Sequence, residues 1–107
     1  KIIYTFYFNE ANKIFNDRIE KWKSIMKEDF KRLIIKQIKG KWGYCNCVKS
    51  IIALNIDLIK RSLFEIDYVC VHELAHLKHP NHSTNFYRHV ELYMKNYKEA
   101  EKLLKYR

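Results

Sequence analysis

The run His72-Glu73-Leu74-Ala75-His76 sets two imidazoles four residues apart with a carboxylate between them. On a helix, residues four apart lie one above the other, about 6 Å along the axis, so both rings can grip one cation. Glu73 falls about 100° further round the helix, which puts its carboxylate beside the open side of the metal, where a general base belongs. A catalytic zinc takes three protein ligands and leaves the fourth position to water. His82, after the break imposed by Pro80, is the expected third ligand, because the turn brings the chain back past the helix end. His79, the last residue before the proline, is expected to point away. This set can hydrolyse a peptide bond with a single zinc per chain, Glu73 acting as the catalytic base.

Several elements must position these residues. Ser62-Leu63-Phe64-Glu65 has the form of a capping box, so a helix is expected from Leu63, with Ile66, Val69, Cys70 and Leu74 facing the core and a stop before Pro80. Ser83 can cap a further helix bearing Phe86, Val90 and Met94, and Tyr97, Ala100 and Leu104 continue a helical stripe. Near the start, Ala11, Ile14, Phe15, Ile19, Trp22 and Met26 recur at helical spacing, with Asn9 as the expected cap; Lys1 to Phe8 reads equally as a strand or as a lead into that helix. Between them, Leu33 to Ile35, Lys41 to Cys45 and Ile51 to Leu54 read as three short antiparallel strands, separated by Gly40 and by the polar stretch Asn46 to Ser50. The fold class is α+β.

The 107 residues suit one domain, and with 48% hydrophobic and 15% aromatic residues they can bury a core. The formal charge of +9 comes from basic residues spread along the chain rather than from a dense block, which points to a solvated surface more than to a nucleic-acid partner, although it does not rule one out. Cys45, Cys47 and Cys70 are odd in number, and no charged-then-apolar leader precedes them, so a reducing, cytoplasmic setting is expected. No apolar run reaches the roughly 20 residues that cross a bilayer. Cys45 and Cys47 have half the spacing pattern of a structural zinc site but lack a second pair, and they read as core thiols. His89 reads as a polar surface residue.

Trp42-Gly43-Tyr44-Cys45, Ile52-Ala53-Leu54-Asn55, the stretch from Asp67 to Leu77 and Asn81-His82-Ser83 together resemble the YgjP-like metal-dependent hydrolases and the minigluzincins, very short zinc peptidases. The resemblance covers Lys41 to about Phe86. It implies a minimal zincin-like domain, similar to the catalytic core of HtpX-type membrane proteases: a small antiparallel sheet of about three strands, an N-terminal helix, an active-site helix and C-terminal helices. It implies zinc ligands at His72, His76 and His82, catalysis by Glu73, and substrate held as extended peptide along a rim strand at Ile52, Ala53, Leu54 and Asn55, with Tyr44 in the cleft wall where the family usually has a smaller residue. Gluzincins proper use Glu as the third ligand, which leaves Glu91 and Glu99 as alternatives to His82.

Three other readings share parts of the pattern. A metal-dependent ribonuclease or rRNA-processing factor of the YbeY type has similar His spacing, but it resembles His-Gly where this chain has His72-Glu73. A DNA-associated protease of the SprT type, and a module that keeps zinc only as a staple, complete the set. Minigluzincins are held latent by their C-terminal segments, so residues 96–107 are expected either to cover the cleft or, exchanged between copies, to build a homo-oligomer; docking as plain core is the alternative.

Overall fold

The computed structural model describes residues 2–105. These form α1 (Ile2–Met26), β1 (Arg32–Lys36), β2 (Gly43–Asn46), β3 (Ile51–Asn55), a 3-10 turn (Ile56–Lys60), α2 (Leu63–His76), α3 (Thr84–Tyr93) and α4 (Tyr97–Leu104). Four helices around one small sheet give the α+β class expected from the sequence.

Ser62 starts α2 as its motif predicts. Its hydroxyl accepts the Glu65 N–H at 3.2 Å, and Glu65 Oε1 accepts the Ser62 N–H at 3.0 Å. From Glu65 to Ala75 every residue of α2 is buried, because α1, the sheet, α3 and α4 surround it. A helix enclosed in this way holds its side chains against neighbours on all sides, which suits a platform for fixed catalytic groups.

α1 runs unbroken from Ile2, so Asn9 lies inside the helix rather than at its cap. Tyr7 and Phe8 extend the stripe of Ala11, Phe15 and Ile19 by one more turn against the core, which gives the helix reason to continue. The guanidinium of Arg18 clamps the carboxylate of Asp67 with two bonds of 2.7 Å, tying α1 to α2.

The sheet is mixed, where three antiparallel strands were expected. Its order is β1-β3-β2, with β1 parallel to β3 and β2 antiparallel to it. β3 takes the middle because Ile52, Ala53 and Leu54 carry its fully buried run, whereas β1 and β2 are only half-buried. The connection from β1 to β2 must therefore pass across the place that β3 fills, and Gly40 bends it with φ +75°, a conformation that suits glycine. Asn55 pins this connection, donating to the carbonyls of Ile38 and Lys41 at 3.0 and 2.8 Å.

α4 packs along α2 with Tyr97, Ala100 and Leu104 buried. Trp42 Nε1 donates to the Leu104 carbonyl at 2.8 Å and Arg61 to the Leu103 carbonyl at 2.9 Å, so the end of the helix is held to the sheet side of the molecule. Residues 106 and 107 of the segment expected to regulate the cleft lie outside the described residues. No described helix is long and apolar enough to cross a membrane.

Candidate metal centre

α2 brings His72 and His76 onto one face, one turn apart, and the turn through Pro80 carries His82 back beside them. Nε2 of His82 lies 3.2 Å from Nε2 of His72 and 3.0 Å from Nε2 of His76. Among the described residues these three form the cluster able to hold a metal ion. Glu91 and Glu99 are exposed on α3 and α4 and do not join it.

The partners of the other ring nitrogens decide what the cluster requires. Tyr68 donates its hydroxyl proton to Glu101 Oε2 at 2.7 Å, so its oxygen accepts from Nδ1–H of His72 at 2.9 Å. Nδ1–H of His76 donates to the His79 carbonyl at 3.0 Å. Nε2 of His72 and Nε2 of His76 therefore both present lone pairs to His82, whose Nε2 carries at most one proton when neutral. One of the two short contacts is then left without a hydrogen. A cation shared by all three nitrogens removes that conflict, and nitrogens on one tetrahedral zinc lie about 3.3 Å apart, near the separations seen.

Burial keeps the rings of His72 and His76 neutral. It pushes the pKa of His72 down to about 2, with His76 and His82 adding to the effect. His76 is also lowered by burial, against the opposing pull of the His79 carbonyl. Neutral imidazoles are the form in which histidine binds a metal.

Phe86, buried on α3, backs the cluster. Its ring stacks on His76 with centroids 4.4 Å apart and meets His72 and His82 edge-on at 4.9 and 5.1 Å. Glu73 is buried beside the site and lines the same cleft, of about 710 Å³, as the three histidines. Gly43 makes room for it from the opposite wall, since a Cβ there would stand 3.3 Å from Glu73 Oε2.

The expected rim strand is placed differently. Ile52, Ala53 and Leu54 are fully buried and β3 is bonded on both edges, so this strand has no free edge for a peptide. Asn55 lines the cleft, but its side chain is engaged with Ile38, Lys41 and the N–H of Asp57. β2 is the outer strand facing the cleft, and Tyr44 on it lines the wall with its ring 5.5 Å from Lys36 Nζ. Cys45 and Cys47 also line the cleft and are half-buried; Cys45 packs against the core, as expected, and Cys47 does not join it. The Cys47 thiol donates to the His76 carbonyl at 3.0 Å, and burial pushes Cys45 up to about 12. His89 is not on the surface; it sits half-buried, 3.9 Å from Glu28 Oε2 and 5.3 Å from the His79 ring, away from the cleft.

The profile of the YgjP-like metallopeptidase domain matches residues 1–107. The chain belongs to this family. As a YgjP-like metallopeptidase it shares its fold with the metallopeptidase zymogen of Pyrococcus abyssi abylysin, at 27% identity, a TM-score of 0.76, and coverage of 84% of this chain and 90% of that one. It also resembles in fold the metallopeptidase zymogen of Methanocaldococcus jannaschii jannalysin, at 21% identity, a TM-score of 0.71, and coverage of 85% and 94%. No curated protein sequence matches significantly. The YgjP-like chain acts on peptide or protein substrates, and its three-histidine cluster suits a metal ion.

Proposed function

We propose that the chain is a zinc-dependent endopeptidase in which His72, His76 and His82 hold one zinc and Glu73 is the general base. The observation that carries this reading is the convergence of three Nε2 atoms in one open cleft that the Glu73 carboxylate also lines. The ion, when bound, supplies an acidified water and a polarised scissile carbonyl. Glu73 takes the water proton and passes it to the leaving amine. Phe86 and the buried wall of α2 hold the imidazoles in place.

The peptide is proposed to lie along β2 rather than β3. Asn55 N–H bonds the Trp42 carbonyl at 2.9 Å, and antiparallel ladders alternate, so Tyr44 and Asn46 point at β3 while the backbone of Gly43 and Cys45 points outward. An extended substrate can add to that edge. Zinc analysis combined with cleavage by the wild type and by Glu73→Ala tests the reading. The variant is expected to keep its zinc and lose roughly a hundredfold or more in cleavage. Equal rates would sink the mechanism.

Latency through residues 96–107 is a second reading, and Lys105 on the cleft wall is the observation that favours it. The buried stripe of α4 makes that helix part of each chain's core, so a blocking role falls to the residues that follow it.

A further inference from the structure

Tyr68 stands one helical turn before His72 on α2 and is fully buried. Its hydroxyl joins two groups far apart in sequence, Nδ1 of His72 at 2.9 Å and Oε2 of Glu101 at 2.7 Å. Glu101 belongs to α4, whose packing on α2 brings the carboxylate to this point. A carboxylate can only accept, so the Tyr68 hydroxyl is the donor of this pair. The line therefore has one direction: His72 Nδ1–H to the Tyr68 oxygen, and the Tyr68 proton to Glu101.

We propose that Tyr68 and Glu101 are positioning residues for the metal, forming a carboxylate–tyrosine–histidine line that sets the tautomer and ring orientation of His72. The proposal rests on the reading of His72 as a ligand. A neutral imidazole has two tautomers, and the one with its proton on Nε2 cannot bind a metal through that atom. An acceptor at Nδ1 selects the other tautomer. The carboxylate behind that acceptor favours the positive charge that builds on the ring when Nε2 gives up its electron pair. His76 obtains the same selection from a backbone carbonyl at the end of its own helix. His72 depends on a side chain carried by α4, so docking of the C-terminal helix contributes to metal affinity, not only to the core.

The zinc dissociation constant of the full chain, measured by competition with a chelator, tests this through Tyr68→Phe, Glu101→Gln, the double variant and His72→Ala. Tyr68→Phe retains the ring that stacks on Tyr97 at 6.4 Å and meets His72 edge-on at 5.5 Å, so packing is preserved. Its dissociation constant is expected to rise roughly 10- to 100-fold. Glu101→Gln, on a partly exposed residue, is expected to weaken binding by a smaller factor with little change in the metal-free melting temperature. In the double variant the Glu101 change is expected to add nothing, because the line is already cut at Tyr68. Independent, additive losses would mean two structural effects rather than one line and would overturn the proposal. So would an unchanged dissociation constant in Tyr68→Phe while His72→Ala loses its zinc. Wild-type affinity in His72→Ala would instead remove the ligand reading on which the proposal stands.

Discussion

A Cβ on Gly43 would stand 3.3 Å from Oε2 of Glu73 and 2.8 Å from the carbonyl oxygen of Ala53. The second contact is with backbone and cannot yield by a rotamer change, so β2 would have to move away from β3. Gly43→Ala is expected to cost about 1–3 kcal/mol and to lower cleavage while leaving zinc content intact, because the crowded carboxylate is the proposed base and not one of the proposed ligands. A melting temperature and turnover equal to the wild type would show that the wall gives way without disturbing Glu73.

Phe86 touches all three histidine rings and is fully buried. Truncation to Ala is expected to cost about 3–5 kcal/mol, and the cavity would open beside the three imidazoles. Phe86→Leu should keep most of the stability, with a loss below about 1.5 kcal/mol. If the ring also orients the imidazoles, Leu will weaken zinc binding by more than its stability loss suggests. Parallel melting and zinc-competition measurements on both variants decide this.

Much of this site can be read along the chain because its parts are local. The His72-Glu73-His76 spacing, the Ser62 cap and the break at Pro80 each lie within one helix or its ends, and helical geometry alone brings them together. The supports could not be read this way. Glu101 reaches Tyr68 across 33 residues and Cys47 reaches the His76 carbonyl across 29, and no periodic pattern carries such pairings. The parallel pairing of β1 with β3 was not legible for a related reason. Short apolar runs of similar composition do not declare which is central, and only the packing shows that β3 has no side left for solvent.

Arg18 and Asp67 share two bonds of 2.7 Å with side chains only 19% and 12% exposed. Arg18→Ala strands the Asp67 carboxylate between α1 and α2, and a loss near the lower end of about 3–5 kcal/mol is expected. Asp67→Asn with Arg18 retained should cost less, since the guanidinium left without its counter-ion is 19% exposed and can still donate to the amide oxygen. Denaturant unfolding of the two variants gives the comparison, and equal losses would contradict it.

Glu65 links the start of α2 to acid stability. Burial acts to raise its pKa, but the Ser62 N–H, the Arg61 guanidinium and the Ser62 hydroxyl together outweigh that and lower it. A carboxyl held lower in the folded chain than in the unfolded one stabilises fully above about pH 4.5 and loses this contribution as the pH falls through the folded value. Glu65→Gln should therefore flatten the acid limb of the stability curve while reducing stability near neutrality. Ser62→Ala should remove about 1 kcal/mol through the cap. An acid limb unchanged by Glu65→Gln would place the responsible carboxylate elsewhere.

Removal of residues 96–107 separates a structural role of the C-terminal segment from a regulatory one. Tyr97, Ala100 and Leu104 are buried, and Glu101 anchors Tyr68, so the loss of all α4 is expected to lower stability and zinc affinity together. A shorter cut, after Leu104, spares those contacts and removes only Lys105, which lines the cleft, and the two residues after it. If that end blocks the cleft, the shorter form will cleave peptide faster at the same zinc content. If copies exchange α4, specific activity will fall as protein rises from micromolar to millimolar concentration, with a matching increase in mass by light scattering. A shorter form with wild-type turnover, together with activity and mass that do not depend on concentration, would leave α4 as core and as support for His72, with no part in latency.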